Sequence, residues 1–336
     1  MKLLTNSRIK TYRACAAKYN FTYNLGLRGL EEREELDFGS AIDLGISAWL
    51  DPELNGDAKL DAAISAANNR LSDPYQQSKA LAMLTGYHFR WKDEPYFAIL
   101  IQPEFRGALV NPDSGRTSKV WQLAGKLDSV LQHKETGARY IHEVKTSSED
   151  VGPGSLYQRR LRLDSQVSQY YDGMRILGYP DIAGCIYDVL SKPGIRPFKA
   201  TPEDKRKYKK GTKELYANQH ESDETSDEYA LRCSELIQTA PEQFFTRLEV
   251  PRTDAEMEDA RRDAWQYAQR MQEDDASKRF PKNPDACAMY GKPCPYLPIC
   301  NRESNASDET MYRRIESVHP ELTLFSEVPT KGPEVK

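Results

Sequence analysis

The sequence predicts an α/β protein with a mixed central β-sheet flanked by helices, and three observations support this fold class. Runs of β-branched and aromatic residues of strand length alternate with longer segments of helical periodicity. Two strand-like runs, at 121–131 and 139–146, flank a turn sequence at 133–137 and predict a β-hairpin. The chain of 336 residues, 39% hydrophobic and 29% charged, is long enough to bury a substantial core.

The remaining elements are predicted from the same patterns. Helices are expected at 7–25, 38–50, 60–71, 78–91, 163–177 and 254–271, and further strands at 96–105, 182–190 and 244–251. A loop containing Gly152, Pro153 and Gly154 separates the hairpin from the helix at 163–177. We expect one domain over 1–320 and a disordered tail over 321–336.

Composition limits the classes of function. No apolar run approaches the length of a membrane span, and the N-terminus lacks an apolar signal core. We therefore expect a cytoplasmic protein without membrane contact. The net charge of −4 gives no overall attraction to nucleic acid, so such binding requires local basic patches. The densest basic run, at 205–213, fits contacts to a phosphate backbone, but also a solvated loop offset by the acidic stretch 221–228.

The hairpin carries the residues with the clearest chemistry. Side chains alternate along a strand, so Glu143 and Lys145 share one face, while Val144 lies on the other. Strand pairing can bring Asp128 beside Glu143. Two carboxylates and an ammonium group suit metal-assisted phosphodiester hydrolysis, because carboxylates bind Mg²⁺ or Mn²⁺ and a lysine stabilises developing negative charge. Taken alone, the Glu-x-Lys pattern favours a solvated strand face. The preceding Gly-Lys-Leu-Asp element, which ends at Asp128, shifts the interpretation toward a catalytic site.

Three further residues are candidates for the same site. Asp43 is an acid among the apolar residues of the helix at 38–50. It either faces solvent, which the helix alone favours, or supplies a third carboxylate to the metal. Gln166 and Tyr170 are four residues apart and project from one helix face. That spacing is also typical of an ordinary amphipathic helix.

The cysteines predict a second metal site. Cys287, Cys294 and Cys300 lie close together in a proline-rich segment. Cys15, inside the first predicted helix, is the best candidate for a fourth thiolate. Four thiolates suit either a [4Fe–4S] cluster or Zn²⁺, and the wide spacing favours the cluster. The two other cysteines, Cys185 and Cys233, are expected to be structural.

The order of these elements resembles the RecB-like branch of the PD-(D/E)XK nucleases, including iron–sulfur members related to the AddB nuclease domain and to CRISPR-adaptation and phage exonucleases. The matching features are Cys15, Gly39 to Asp43, Gly125 to Asp128, Glu143 to Lys145, Gln166 to Tyr170, and Cys287, Cys294 and Cys300. Each is weak alone, and their common order makes coincidence improbable. Two positions depart from the family pattern. Asp43 stands where the family usually has histidine, and the C-x6-C-x5-C spacing differs in its first interval.

The resemblance implies a restriction-endonuclease-like core with roles for these residues. Asp128, Glu143 and the Val144 carbonyl would bind the metal, with Lys145 as the catalytic lysine. Gln166 and Tyr170 would hold the DNA strand and the active-site side chains in position. The four-cysteine cluster would staple the N-terminal helix to the C-terminal segment. At position 43, an oxygen ligand in place of imidazole would favour Mg²⁺.

The sequence therefore predicts a Mg²⁺- or Mn²⁺-dependent deoxyribonuclease. By resemblance, the expected form is an exonuclease of recombination or repair, phage-encoded forms included, with a helicase or recombination protein as a candidate partner. One alternative is a non-catalytic DNA-binding or partner-binding module that retains the fold. The intact Asp128, Glu143 and Lys145 argue against it. A second alternative keeps the nuclease and replaces the cluster with zinc.

Overall fold

The computed structural model describes residues 1–30, 34–289, 292–324 and 327, and the fold is mixed α/β. The strands are β1 (Lys2–Leu4), β2 (Leu27–Gly29), β3 (Tyr96–Ile101), β4 (Glu104–Val110), β5 (Thr117–Lys126), β6 (Ser129–His133), β7 (Arg139–Ser147), β8 (Gly184–Ser191), β9 (Phe245–Glu249), β10 (Ala288–Met289), β11 (Lys292–Pro293) and β12 (Tyr312–Arg314). The α-helices are α1 (Asn6–Ala14), α2 (Ala16–Tyr19), α3 (Glu34–Trp49), α4 (Asp57–Asn68), α5 (Pro74–Trp91), α6 (Leu156–Leu161), α7 (Ser165–Ile176), α8 (Ser226–Thr239), α9 (Pro241–Phe244), α10 (Asp254–Ser277) and α11 (Leu297–Cys300).

A five-stranded sheet forms the centre of the fold, with strand order β3-β6-β7-β8-β9. β7 and β8 run parallel and the other neighbours run antiparallel, so the central sheet is mixed, as predicted. Helices α3, α4, α5 and α8 pack with Val144 and Ile186 on one face. Helices α1, α7 and α10 pack with Ile141 and Val189 on the other. The alternation along β7 therefore directs odd-numbered side chains toward α7 and even-numbered ones toward α3.

Two strands predicted as continuous are each divided between two sheets. The predicted strand 96–105 breaks between β3 and β4, and 121–131 breaks between β5 and β6. β4 and β5 belong to a three-stranded sheet of order β1-β5-β4. The breaks lie side by side, because Gln102 N donates to Asp128 O (2.9 Å) and Leu127 N donates to Pro103 O (3.0 Å). The backbone turns at Gln102, whose φ is +50°, and both segments are extended on either side of their breaks, so the strand pattern of the sequence does not reveal the division.

The first predicted helix, 7–25, is also divided. α1 begins after the Thr5 cap, whose side chain accepts from Arg8 N, and Cys15 ends it in an extended conformation (φ −167°, ψ 119°). The prediction that Cys15 lies inside a helix is therefore wrong. α2 and a π-helical turn, Asn20–Asn24, follow. The C-terminal part of the chain satisfies groups freed by the break, since Ala17 N donates to Pro281 O (3.1 Å).

The described part of the segment predicted as a tail contacts the body of the fold. Leu322 is buried. Glu104 accepts hydrogen bonds from the backbone nitrogens of Thr323 and Leu324. The Glu327 carboxylate pairs with the buried guanidinium of Arg8. The remaining tail residues, 325–326 and 328–336, lie outside the described residues. No described helix combines the length and apolar character needed to cross a membrane.

Candidate active site

The start of the β6–β7 hairpin brings together the residues predicted for catalysis. β6 and β7 pair with Ser129 opposite His142, so Asp128 precedes β6 at the level where β7 reaches Glu143. Asp128 Oδ2 accepts a hydrogen bond from Val144 N (2.7 Å), which fixes one carboxylate against the backbone of β7. Asp128 lies in the break between β5 and β6 rather than within a strand. Because Asp128 lies outside both strands, the alternation of side chains along β5 or β6 does not determine where its carboxylate points.

Glu143 is the most enclosed member of the site, with a fully buried side chain. Its Oε1 accepts a hydrogen bond from Gln166 Nε2 (2.8 Å) and pairs with the Lys145 ammonium group. Its Oε2 is buried and has no hydrogen-bond partner among the described residues. Burial, and then the neighbouring Asp128, raise the pKa of Glu143 to about 8, although Lys145 opposes the shift. A buried, unpaired carboxylate oxygen of this kind fits a cation ligand.

Lys145 supplies the positive charge. Its ammonium group pairs with Glu143 and lies 3.2 Å from the Val144 carbonyl oxygen. Burial alone would lower the pKa of Lys145, but Glu143 and Asp128 hold it well above its usual value. Lys145 therefore stays protonated at neutral pH. Since 35% of its side chain is exposed, the group can still meet a ligand from solvent.

Asp43 lies on α3, which packs directly on β7. A Cβ atom at Gly39, one turn earlier, would lie 3.4 Å from Thr146 Oγ1, so glycine allows this close approach. Burial, and then Asp128, raise the pKa of Asp43 to about 7, although nearby lysines including Lys145 oppose the shift. Asp43 is therefore a neighbour of Asp128 and Lys145. Asp43 is half-buried and near Asp128, and its role as a metal ligand stays a prediction.

Gln166 and Tyr170 reach the site from α7, on the face of the sheet that carries Glu143. Gln166 Nε2 donates to both Glu143 Oε1 (2.8 Å) and the Tyr170 hydroxyl oxygen (2.7 Å). Burial, followed by Glu143 and Asp128, raises the pKa of Tyr170 well above its usual value, so the phenol stays neutral. The two residues therefore hold Glu143 in place.

Two lysines beside the site were not singled out from the sequence. Lys10 Nζ, on α1, lies 3.3 Å from Gln166 Oε1 and 3.4 Å from Asp164 Oδ1. Lys126, at the end of β5, lowers the pKa of Asp43 electrostatically. Lys126 stands two residues before Asp128 and could have been suspected from that spacing. No sequence signal connects Lys10 to a helix more than 150 residues away.

The four cysteines predicted as ligands line one cavity of about 220 Å³, together with Lys18, Lys282, Asn283, Pro284, Ala286, Tyr296, Leu297 and Asn301. Burial raises the pKa of the Cys300 thiol, and Cys15, Cys294 and Cys287 raise it further, against the effect of Lys282. In the described part of the chain, however, no group of three or more His, Cys, Asp or Glu side chains has a geometry that could hold a metal ion, and this covers the carboxylates at the hairpin as well as the cysteines. The four-cysteine cluster is therefore not shown, although its predicted ligands converge. Cys185 and Cys233 are buried elsewhere in the core.

A larger cavity lies away from these residues. It measures about 530 Å³ and is bordered by α7, α10 and the β4–β5 pair. Its wall is crossed by ion pairs, Arg261 with Asp172 and Arg162 with Glu256. None of the carboxylates of the candidate active site lines it. We therefore place the chemistry at the hairpin, where the charged groups converge, and not in the roomier cavity.

Comparison with known families agrees with this geometry. The family model of the PD-(D/E)XK nuclease superfamily matches residues 4–301. The match covers most of the chain, so the chain belongs to the PD-(D/E)XK nuclease superfamily, whose members are generally nucleases. No curated protein shows significant similarity to the chain. The family match is to the superfamily as a whole and does not distinguish a RecB-like iron–sulfur branch.

Proposed function

We propose that this protein is a metal-dependent deoxyribonuclease and that Asp128, Glu143 and Lys145 form its active site. The observation that carries the proposal is the position of Asp128 and Glu143 beside the protonated Lys145 at the start of the β6–β7 hairpin, with Asp43 in electrostatic contact with Asp128. A purely structural site would not be expected to place two acids with raised pKa values beside Asp128, and such clusters are typical of functional sites.

The donor types suit a hard divalent cation, although the described side chains do not already form a three-ligand geometry for one. Asp43 and Glu143 have raised pKa values, and Glu143 Oε2 has no hydrogen-bond partner among the described residues. Oxygen ligands of this kind suit Mg²⁺ or Mn²⁺. The ligands would be Asp43, Asp128, Glu143 and the Val144 carbonyl. The bound ion would activate water and neutralise charge on the scissile phosphate.

The protein's own groups have separate tasks in this proposal. Lys145 holds its proton and stabilises the negative charge that develops on the phosphate. Gln166 fixes the orientation of Glu143 through Oε1, leaving Oε2 for the cation. The Val144 backbone does the same for Asp128. Tyr170 remains a neutral phenol that accepts from Gln166 and keeps its own O–H for substrate.

The four cysteines support a second proposal, a [4Fe–4S] cluster that joins the two ends of the fold. Cys15 stands at the break after α1, and the other three lie in the segment 287–300. All four line the same cavity. Zinc on the same thiolates is the alternative, and it would leave the nuclease chemistry unchanged.

The resemblance to RecB-like nucleases supports the finer form of the proposal. On that basis the protein is an exonuclease of recombination or repair that acts in the cytoplasm, with a helicase or recombination protein as a candidate partner. Phage-encoded exonucleases are among the proteins it resembles. These assignments rest on the order of the motifs, from Cys15 to Cys300.

Digestion of end-labelled linear DNA and closed circular DNA tests the proposal. With Mg²⁺ or Mn²⁺, the wild-type protein should degrade linear DNA, leave circles intact, and lose activity in chelator. Asp128→Ala should be inactive, because it removes a metal ligand. Cutting of circles would refute the exonuclease form. Absence of any metal-dependent cleavage would favour the non-catalytic module.

A further inference from the structure

A structured loop follows β8 and carries the densest basic run of the chain. The loop, residues 201–220, is named here the basic hairpin. Its two arms pair antiparallel at Tyr208 and Leu215, and Lys209 N donates to Glu214 O (2.8 Å). Gly211 forms the tip with φ +79°, a conformation that favours glycine. The basic hairpin is therefore a built element and not an irregular linker.

The base of the basic hairpin is fixed to the body of the protein. The rings of Phe198 and His220 stack at 4.2 Å, and the Arg232 guanidinium of α8 lies 3.8 Å over Phe198. Thr201 N donates to His220 O (2.8 Å), which closes the base. The side chains beyond this base are thus held in place without an apolar core of their own.

Among the described residues, no ion pair joins the acidic stretch 221–228 to the basic hairpin. Asp223 pairs with Lys199 and Glu224 with Arg232, both outside the hairpin. Within the hairpin, Lys209 pairs with Glu214. Across the described residues, no ion pair or hydrogen bond engages the ammonium groups of the exposed Lys207, Lys210 and Lys213.

Two aromatic rings stand among these charges. Tyr208 is 49% exposed and Tyr216 is 50% exposed. Neither is needed to bury a core, and an acidic protein partner would use the lysines without requiring the rings. Unpaired bases stack on exposed aromatic side chains, whereas bases within a duplex are already stacked on each other. Lysines beside the rings can contact the phosphates between such bases.

The basic hairpin follows β8, the strand that pairs with the catalytic strand β7. β8 ends at Ser191, which pairs with Ser147 of β7, two residues beyond Lys145. Lys192 N donates to Ser147 O (2.8 Å) as the chain leaves the sheet. The segment that carries the hairpin therefore leaves the sheet at the end where β7 also ends, and its base then packs on α8, on the sheet face opposite Glu143 and Lys145.

We propose that the basic hairpin binds single-stranded DNA, with Tyr208 and Tyr216 stacking on unpaired bases and Lys207, Lys210 and Lys213 contacting phosphates. This inference rests on the proposed nuclease function for its biological meaning, since a bound strand would be a substrate of that activity. It adds a binding surface that the catalytic residues do not require.

Fluorescence anisotropy of the full-length protein in chelator tests the inference, with labelled oligo(dT) and a labelled blunt duplex as probes. Tyr208→Leu and Tyr216→Leu should each weaken oligo(dT) binding about fivefold or more, because each removes a stacking surface. Tyr208→Phe and Tyr216→Phe keep the ring and should bind like wild type. Duplex binding should change little in all four variants. Equal losses on both probes, or wild-type affinity in the leucine variants, would overturn the proposal.

The lysines are tested by salt dependence. Lys210→Gln with Lys213→Gln should make the slope of log affinity against log salt shallower by roughly 1.4, at about 0.7 per lost phosphate contact. Arg116→Gln with Lys119→Gln, an exposed pair on and beside β5, is the matched control and should keep the wild-type slope. An unchanged slope in the hairpin variant would contradict phosphate contact.

The outcome separates this inference from the proposed function. Loss of oligo(dT) binding in the hairpin variants of a protein that cleaves no DNA would leave the hairpin inference intact and refute the nuclease. Metal-dependent cleavage by wild type, together with unchanged binding in the hairpin variants, would refute the hairpin inference and leave the nuclease intact.

Discussion

At the scale of single residues, the site is defined by charge in a confined space. Glu143 and Asp43 have raised pKa values because they are buried beside Asp128. The metal-free protein holds these acids close together at a cost in stability that a bound cation would offset. The sequence predicted Asp128, Glu143 and Lys145, because alternation on a strand fixes which residues share a face. It could not settle Asp43, since the packing of α3 on β7 decides where that side chain points.

Asp43→Asn separates stability from metal affinity. The folded-state pKa of Asp43 is raised to about 7, so the stability it contributes is fully present below its unfolded pKa and is lost as pH rises through 7. In metal-free protein, the variant should therefore gain melting temperature over wild type at pH 8, with little difference near pH 4. Asparagine is a poorer ligand than carboxylate, so the variant should need more Mg²⁺ for activity.

The control for that variant is Asp61→Asn, which removes an exposed acid of α4. It should change neither the pH dependence of melting nor the metal titration. If Asp43→Asn titrates with Mg²⁺ like wild type in calorimetry, Asp43 is not a ligand. A melting difference that shrinks as pH rises would contradict the electrostatic account.

At the scale of elements, a buried polar network ties four strands together beneath the site. His142 Nε2 lies 3.2 Å from Asp188 Oδ2 across β7 and β8, and Ser129 Oγ lies 2.8 Å from His142 Nδ1 across β6 and β7. Arg247 of β9 donates to Asp188 (2.7 Å), as does the Tyr87 hydroxyl of α5 (2.9 Å). Burial alone would raise the pKa of Asp188, but Arg247 and His142 outweigh it and lower the net value. The network fixes the register that places Asp128 beside Glu143.

Arg247→Gln should be strongly destabilising, because it leaves the fully buried Asp188 carboxylate without its cation. Removing one partner of a buried ion pair typically costs about 3–5 kcal/mol of unfolding free energy. Arg160→Gln breaks an exposed pair with Glu149 and should cost less than about 1 kcal/mol. Urea unfolding of both variants measures the difference. Comparable losses would show that the network is not what holds the register.

Element boundaries mark the limit of prediction from this sequence. The hairpin β6–β7, the mixed sheet and most of the helices follow from periodicity. The breaks between β3 and β4 at Gln102 and between β5 and β6 at Leu127 could not be predicted from periodicity. The backbone is extended on both sides of each break, so the residue pattern does not change there. The sequence predicts no helix at α6, because its six residues contain two arginines and too few apolar positions for a helical pattern. Such short elements depend on capping, here by Ser155, whose side chain accepts from Gln158 N.

At the scale of the whole molecule, the N-terminal segment is held against described residues of the C-terminal region. β2 pairs with β12, and Arg8 pairs with Glu327. The cavity lined by Cys15 and the three C-terminal cysteines lies within the same junction. The sequence suggested this junction only through the number and spacing of its cysteines and through family resemblance. Contacts between residues nearly 300 positions apart leave no local sequence pattern.

Cys15→Ala tests the proposed cluster. Protein purified without oxygen should be brown and contain iron in wild type, and the variant should lose both iron and thermal stability. Cys233→Ala is the control, because Cys233 is buried in the core away from the cavity. It should lose stability through packing while retaining its iron. Colourless wild-type protein with stoichiometric zinc would replace the cluster with the zinc alternative, and retention of metal and stability in Cys15→Ala would exclude Cys15 as a ligand.

The most direct test of the central claim is the separation of metal binding from cleavage in Lys145→Ala. The variant keeps Asp43, Asp128 and Glu143, so calorimetry should still detect Mn²⁺ binding, while the cleavage rate falls by roughly 10²- to 10³-fold. Lys119→Ala, an exposed lysine of β5, should cleave like wild type. Cleavage at the wild-type rate by Lys145→Ala would show that the active site proposed at the β6–β7 hairpin is wrong.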